Sequence, residues 1–511
     1  MYRNRIILLN FRVKYSNMIA YINKVEGIAM EPKVRITNIV IKNFKNVNYG
    51  ELSLINNRKN FKASILGLYG QNGSGKTALI DALELLKYAL CALEIPNKFA
   101  DYINVDAASA EISYSLDITI DEIVYPMVYT LTLIRDVIQD DGNTGTVVEK
   151  ENKQRAKILS EVLRCQTKTP DGKLRMGKII DTESDATVFT PKSKYELLTG
   201  GDKSVTTELV VSKKLSQKTS KTFVFSKDLL EAIKNNTAKY DAADAKAKEA
   251  AHYLSLIEAL VRFGNIELFV INTSNSGLIS LNAQPLIFKI RNKENETKGS
   301  LGTITLLTEG PSIIPETMYH VTKAVIDNMN IVLEKIIPGL TITVKDLGNQ
   351  TMPNGSIGKQ VELLSKKNGK EIPLKYESEG IKKIVSILQL LVVVYNQESI
   401  TVAIDELDSG VFEYLLGEIL RVISEKGKGQ LIFTSHNLRP LETIDRGFVA
   451  FTSTNPNKRY IRLANVKENH NLRDFYYRDI MLGEQEDAVY DLTNNAEIAM
   501  AFREAGENIG S

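Results

Sequence analysis

Eight residues near position 70 have the types and spacing of a phosphate-binding loop. The stretch GQNGSGKT at 70–77 fits the pattern G-x-x-x-x-G-K-[ST] in full. Glycines let backbone N–H groups curl around phosphate oxygens, and a helix that follows directly points its N-terminus at them. We expect Lys76 to reach the β- and γ-phosphates and the Thr77 hydroxyl to bind Mg²⁺. The residues predicted to hold the nucleotide are Gly70, Asn72, Gly73, Ser74, Gly75, Lys76, Thr77 and Ala78.

Two carboxylates close an apolar run much farther along the chain. The stretch ITVAIDE at 400–406 predicts a buried strand that ends in Asp405 and Glu406. An α/β sheet places its ligand chemistry at the carboxyl ends of its strands. We expect Asp405 to hold the Mg²⁺ shell and Glu406 to polarise an attacking water, with Lys76 completing the charged part of the catalytic set. The plainer alternative is that acidic residues simply end a strand, as they often do.

One histidine has a comparable position. LIFTSHN at 431–437 is a second apolar run, and it ends in Ser435, His436 and Asn437 about 30 residues after the acidic strand. On a neighbouring strand, His436 is within reach of a γ-phosphate, and we expect it to sense that group. A solvent-facing or hydrogen-bonded structural histidine is the alternative. The other histidines have no such context, and no role is assigned to them.

The elements around these residues predict a parallel sheet. KASILGLYG at 62–70 is a continuous apolar run that ends in glycine, as a buried central strand should. Helical spacing follows over 76–92. Strands alternating with helices favour an α/β fold. In the last third the predicted strands are 340–347, 359–365, 400–407 and 430–435, and the predicted helices are 380–396 and 411–426.

The middle of the chain has a different character. Three short antiparallel strands are expected over 109–135. The following stretch, 147–227, has 17 Lys+Arg against 10 Asp+Glu and is called here the basic segment. Helical composition returns at 228–263. The predicted domains are an N-terminal extension (1–29), the two parts of a nucleotide-binding α/β domain (30–145 and 336–464), a mainly helical insertion between them (146–335) and a C-terminal helical element (465–511).

Composition excludes some classes of function. The 511 residues carry a net charge of +2, so no global field is directed at nucleic acid or membrane. No run of 18 apolar residues is present. The two cysteines, Cys91 and Cys165, have neither metal-site nor disulfide spacing, which favours a reducing, cytoplasmic setting. Met30 resembles a natural start, so residues 1–29 are interpreted as a loose extension or as the result of a mis-assigned start codon.

With these motifs in order, the chain resembles the ABC-type ATPase heads of the SMC, RecF and OLD families. ITNIVIKNFKNV resembles their first strand and its N-F-K motif, GQNGSGKTALIDAL their phosphate loop and helix, and IDELDSGVF their acidic strand end and D-loop. The resemblance covers about 30–145 and 340–455. It implies ATP and Mg²⁺ as ligands, and a mixed sheet with flanking helices plus an antiparallel β lobe.

The same resemblance implies a composite site made by a head-to-head homodimer or a higher homo-oligomer. ESEGIK at 377–382 lies where the family has its signature, and Ser378, Gly380 and Lys382 match it. These residues, with Asp408 at the D-loop position, are predicted to contact nucleotide across the dimer. Glu379 departs from the pattern and brings negative charge near the phosphate, which Lys382 and its neighbour can offset. No clear Q-loop glutamine precedes 109–120.

Two functions follow from this resemblance. The first is a regulatory ATPase that controls a separately encoded effector, similar to the ATPase halves of the PARIS and Septu anti-phage systems, with a phage-derived trigger. The length of the insertion, about 190 residues without sustained heptads, favours it over a long-armed DNA tether. About 75 residues follow His436, too few for the nuclease domain of OLD proteins.

The second function is a DNA-repair or chromosome-maintenance ATPase that binds duplex DNA through the basic segment. A solvated Lys/Ser/Thr-rich surface is the alternative interpretation of that segment. The stretch NLRDFYYRDIMLG at 471–483 also has two interpretations: it is a partner surface or an amphipathic packing element. A transporter subunit is a distant third function, because the N-F-K strand and the insertion argue against it.

Overall fold

The computed structural model describes most of the chain. The described ranges are 32–55, 63–137, 154–168, 173–240, 244–272, 283–292, 295–352, 355–463, 471–483 and 485–507. The predicted N-terminal extension at 1–29 lies outside them.

The strands are numbered in chain order. They are β1 (Lys33–Phe44), β2 (Val47–Ser53), β3 (Ser64–Tyr69), β4 (Ser109–Ile120), β5 (Ile123–Val137), β6 (Gln154–Lys168), β7 (Leu174–Asp181), β8 (Leu268–Ile271), β9 (Ala283–Asn292), β10 (Asn295–Leu307), β11 (Ser312–Pro315), β12 (Leu340–Thr351), β13 (Ile357–Lys367), β14 (Lys370–Pro373), β15 (Thr401–Ile404), β16 (Gln430–Thr434), β17 (Val449–Thr452) and β18 (Tyr460–Ile461).

The α-helices are numbered in the same way. They are α1 (Lys76–Leu90), α2 (Lys98–Asp101), α3 (Lys192–Thr199), α4 (Lys203–Lys218), α5 (Lys227–Thr237), α6 (Ala245–Arg262), α7 (Tyr319–Ile336), α8 (Glu379–Asn396), α9 (Glu413–Lys426), α10 (Pro440–Thr443), α11 (Leu472–Leu482) and α12 (Asn495–Glu507). No helix in these ranges combines the length and the apolar content that crossing a bilayer requires.

The chain divides into two compact units. The larger comprises the described residues of Lys33–Ile118, Val124–Leu281 and Glu379–Ser511, and the smaller those of 283–378 with Thr119–Ile123. In the smaller unit β9 pairs with β10, a second sheet has the order β11-β13-β12, and β14 pairs with β13. Helix α7 packs on β12, where the Asn330 side chain exchanges two 2.8 Å hydrogen bonds with the Ile342 backbone.

A parallel sheet forms the centre of the larger unit. Its order is β18-β17-β3-β16-β15-β8, and every neighbouring pair except β17–β18 is parallel. Strands β15 and β16 are buried throughout, as expected when both faces of a strand are covered. Gly67, Phe433 and Ile404 are in register, so the carboxyl ends of β3, β16 and β15 meet at one edge. The predicted α/β fold with a mixed sheet is confirmed.

A second sheet has the order β2-β1-β4-β5-β6-β7, with antiparallel pairing between β1 and β2, β5 and β6, and β6 and β7. The prediction of three short strands over 109–135 is wrong, because β4 and β5 are two long strands. Asp121 and Glu122 join them in a tight turn, both with positive φ. Glycine usually occupies the second position of such a turn, so Glu122 in that position hid the turn in the sequence.

Part of the predicted insertion at 146–335 belongs to the sheets. Strands β6 and β7 extend the antiparallel sheet from β5, and β8 is the edge strand beside β15. Charged residues obscure the alternation of β6, whose buried side chains include Ala156, Ile158 and Cys165. Helices α3 to α6 also lie in this region; the helical composition at 228–263 predicted α5 and α6, whereas α3 and α4 lie in the basic segment and were not predicted.

Helix α11, near the C-terminus, packs against the parallel sheet. Helix α11 buries Leu472, Phe475 and Tyr476, and the Tyr476 ring stacks on Phe451 of β17 with centroids 4.7 Å apart. The interpretation of NLRDFYYRDIMLG as an amphipathic packing element is therefore confirmed.

Candidate nucleotide-binding and hydrolysis site

The phosphate-binding loop connects β3 to α1, and glycine shapes its backbone. Gly70 has a φ of 153° and Gly75, the N-cap of α1, a φ of 94°, both in a region that side chains disfavour. A β-carbon on Gly70 would lie 1.8 Å from Thr452 Oγ1. The loop therefore needs glycine for conformation at both positions and for space at Gly70. It delivers the N-terminus of a 15-residue helix to the cleft, where anions are favoured.

The Lys76 side chain folds back across this loop. Its Nζ donates to the backbone oxygens of Gly70 and Gln71, each at 2.8 Å. Burial lowers the pKa of Lys76 to about 8, against the opposing influence of the acidic residues after β15. An ammonium held by neutral carbonyl oxygens can exchange them for phosphate oxygens, which bind it more strongly because they are charged.

Asp405 and Glu406 follow β15 directly, and one hydroxyl fixes both. Thr434 Oγ1, at the end of β16, donates to Asp405 Oδ1 at 2.6 Å and accepts from the Glu406 N–H at 2.8 Å. Asp405 is 1% exposed, while Glu406 lines the cleft. Glu406 has a φ of 46°, which is uncommon for a residue with a side chain. The threonine thus orients the predicted Mg²⁺ ligand and the backbone of the predicted base.

Asp408 supports the turn that carries His436. Its Oδ2 accepts from the backbone N–H groups of His436 at 3.1 Å and Asn437 at 2.9 Å. Asp408 therefore binds its own chain in this structure. Partial burial and the nearby Lys76 ammonium lower the pKa of His436. Its imidazole is consequently neutral at pH 7, with one nitrogen as donor and one as acceptor.

A cleft of about 340 Å³ brings these elements together. Gly70, Ser74 and Asp408 are not part of its lining; Ser74 is buried and donates to the Gln71 backbone oxygen at 2.7 Å. The predicted site residues that do line the cleft are Asn72, Gly73, Gly75, Lys76, Thr77, Ala78, Asp405, Glu406 and His436.

Three further residues of the lining escaped sequence reasoning: Lys45, Asn46 and Thr434. The Asn46 amide donates to the backbone oxygen of Gly73, so the turn between β1 and β2 touches the phosphate loop. Lys45 has a φ of 53°, which bends the chain at the N-F-K motif. That motif is the signal that could have found Lys45 and Asn46, whereas nothing marked Thr434 beyond its place at a strand end.

The donors of this cleft fit a nucleoside triphosphate with Mg²⁺. The Thr77 hydroxyl and the Asp405 carboxylate are the oxygen ligands that Mg²⁺ accepts alongside substrate phosphates. The loop N–H groups and Lys76 supply positive partners for those phosphates. The volume of about 340 Å³ lies within the range typical of small-ligand sites.

The predicted signature residues lie at the start of α8. Ser378 is the last residue of the smaller unit, and Gly380 and Lys382 lie in the first turn of α8 in the larger unit. The Glu379 side chain is 85% exposed and pairs with Lys382 at 2.6 Å. Its negative charge is therefore countered within the same helical turn.

A glycine-rich loop at the end of a central parallel strand, with acidic residues on the adjacent strand ends, defines a P-loop enzyme that hydrolyses nucleoside triphosphates. The AAA ATPase domain model matches residues 35–439. This match spans most of the 511 residues, and the chain belongs to that family. The prediction of an ATPase is confirmed. No curated protein matches the chain.

Several solved structures are similar at low identity. The SMC head domain from Thermotoga maritima is 12% identical, with a TM-score of 0.31 over 84% of this chain and 99% of that one. An Smc head bound to the C-terminal domain of ScpA, from Pyrococcus furiosus, is 12% identical with a TM-score of 0.34, covering 84% and 96%. A RecF–ATPrS structure is 12% identical with a TM-score of 0.33, covering 84% and 99%.

Proposed function

We propose that this ATPase regulates a separately encoded effector, a nuclease or toxin, in bacterial defence against phage. It acts in the cytoplasm, where a phage-derived trigger changes its nucleotide state and releases the effector. The observation that supports a regulatory role is a direct contact between α8 and the turn after the acidic strand: Gly380, in the first turn of α8, packs against Gly410 in that turn. A movement of α8 would therefore reach the acidic residues. A β-carbon on Gly380 would lie 2.2 Å from the Gly410 oxygen. The resemblance to PARIS and Septu ATPases supports the setting.

In the proposed mechanism each part of the cleft has a distinct task. The loop N–H groups and Lys76 hold the β- and γ-phosphates. Glu406 accepts the proton of the attacking water, and neutral His436 donates to a γ-phosphate oxygen. Bound Mg²⁺ supplies charge neutralisation at the phosphates, with Thr77 and Asp405 as its protein ligands.

The proposed assembly is a homodimer of heads, or a higher homo-oligomer built from it. Ser378, Gly380 and Lys382 of one subunit contact the nucleotide of the other, and the Asp408 turn lies at the same interface. Two aromatic side chains directly after that turn support this surface, since Phe412 is 71% exposed and Tyr414 is also exposed. Apolar groups gathered beside a site commonly mark an interaction surface.

Several basic side chains bind other groups of the protein itself, which argues against DNA as the main partner. Lys213 of the basic segment is buried and donates to backbone oxygens. Arg155 pairs with Asp136 at 2.7 Å, and Lys194 with Glu249 at 2.6 Å. Such pairs leave less positive charge for phosphate backbones.

The test challenges cells that carry this gene with its neighbouring genes. We expect Lys76→Ala to abolish protection from phage. The neighbouring gene product should copurify with Glu406→Gln in ATP and leave the wild-type protein on hydrolysis. Full protection by Lys76→Ala would overturn the regulatory role. Duplex DNA binding that weakens about 10³-fold between about 50 and 200 mM salt would favour the DNA-maintenance alternative instead.

A further inference from the structure

A buried lysine on α8 contacts the catalytic turn. Lys383 is 4% exposed, and its Nζ donates to the backbone oxygen of Glu406 at 2.8 Å. The preceding residue, Lys382, pairs with Glu379 instead. Lys383 therefore reaches into the acidic turn after β15.

The Glu406 peptide is held from both sides. Its N–H donates to Thr434 Oγ1 at 2.8 Å, and its oxygen accepts from Lys383 and from the Ser409 N–H, the latter at 3.1 Å. The φ of 46° at Glu406 is a conformation that persists in a side-chain residue only when its surroundings enforce it. Lys383 supplies one of those restraints.

Charge and packing keep Lys383 in place. The carboxylates of Asp408, Glu406 and Asp405 favour its ammonium, although burial as the larger influence lowers the pKa of Lys383. The contact between Gly380 and Gly410 holds the start of α8 against the same turn. A buried charge that donates a hydrogen bond and faces carboxylates is far less costly than an isolated one.

We infer that Lys383 is a positioning residue for hydrolysis, which holds the Glu406 backbone so that the carboxylate faces the cleft. The inference rests on the proposed role of Glu406 as the base. It adds a route of regulation, because a shift of α8 that withdraws Lys383 releases Glu406 and slows hydrolysis. The phosphate loop is left untouched by that shift, so nucleotide stays bound.

The test measures kcat, KM and the affinity for a fluorescent ATP analogue. In Lys383→Met we expect kcat to fall about 10-fold or more, with KM and affinity within about twofold of wild type. Lys213→Met is the matched control, since Lys213 is also 4% exposed and donates to two backbone oxygens, of Ser184 and Thr187. It should leave kcat unchanged. Equal kcat in Lys383→Met and wild type would overturn the inference.

A double-mutant cycle separates this inference from the proposed function. If Lys383 acts through Glu406, single-turnover rates of Glu406→Gln and of the Glu406→Gln/Lys383→Met pair should agree within about twofold. A further loss of about 10-fold in the pair would place Lys383 elsewhere and overturn the inference. Wild-type hydrolysis by Glu406→Gln alone would overturn the base assignment and, with it, this inference. Should Lys383→Met not fold, Lys383→Gln, which removes the charge and shortens the side chain, answers the same questions.

Discussion

Thr434 holds the side chain of Asp405 and the backbone of Glu406. Its hydroxyl donates to Asp405 Oδ1 and accepts from the Glu406 N–H. Thr434→Val keeps the shape and removes both bonds. We expect kcat to fall about 10-fold or more and the Mg²⁺ requirement to rise, because Asp405 loses the donor that aims it. Magnesium-dependent steady-state ATPase assays measure both effects.

Thr401 provides the matched control at the opposite end of the same strand pair. Its hydroxyl donates to Gln430 Oε1 at 3.1 Å, and the residue is fully buried. Thr401→Val should cost about 1 kcal/mol of stability, as Thr434→Val does, yet keep kcat near the wild-type value. Equal activity of the two variants would show that the Thr434 bonds serve stability alone.

Lys76 makes nucleotide affinity depend on pH. Its pKa of about 8 is depressed by burial, and the negative phosphates favour the charged ammonium. Below about pH 8 the proton is already present, whereas above it binding must take up a proton. The affinity for nucleotide is therefore highest below about pH 8 and falls above that pH, by up to about 10-fold per pH unit. Titrating a fluorescent ATP analogue between about pH 7 and pH 9 measures this. Lys76→Arg, charged throughout, should flatten the profile, and a flat wild-type profile would contradict the assignment.

At the scale of elements, Glu161 joins β6 to the segment between α4 and α5. The Phe223 N–H donates to Oε2 at 2.7 Å and the Tyr129 hydroxyl to Oε1 at 3.0 Å, while burial raises the pKa of Glu161 to about 7. The folded protein therefore holds this proton more tightly than the unfolded chain between pH 4.5 and about 7. Stability from this group is present at low pH and is lost as pH rises through that window.

The melting temperature of the wild type should accordingly fall between pH 5 and about pH 8 by more than that of Glu161→Gln. Thermal unfolding of both proteins over this range measures the difference. Glu231→Gln is the control, because Glu231 is exposed and makes a 3.5 Å surface pair with Lys227. That variant should keep the wild-type slope. Parallel slopes in all three proteins would mean that Glu161 is already ionised in the fold.

The elements that the sequence could predict are those with a continuous run of apolar residues. Strands β3, β15 and β16 are buried runs followed directly by Gly70, Asp405 and Ser435, so their common edge followed from chain order. Strand β6 could not be predicted in the same way. Its buried face includes charged Glu161, and a bulge opposite Thr132 shifts the pattern by one residue.

The candidate site likewise contains residues that a local sequence motif predicts and residues that it does not. The phosphate loop, the two acids and His436 have local motifs and fall in one cleft. Thr434 and Lys383 act through contacts with residues 28 and 23 positions away. Such contacts depend on how β16 and α8 pack, which no local pattern in the sequence records.

For the whole molecule, the proposed dimer gives the last prediction. Glu406→Gln with Mg-ATP should sediment as a dimer, because binding proceeds while hydrolysis falls about 10²-fold or more. Adding Phe412→Glu should return it to monomer, since the charge would enter the proposed interface beside the Asp408 turn. Phe502→Glu on α12 is the matched control, as Phe502 is 76% exposed against 71% for Phe412. It should leave the dimer intact. Dimers that survive Phe412→Glu, or that dissociate equally with Phe502→Glu, would place the contact between subunits on another face.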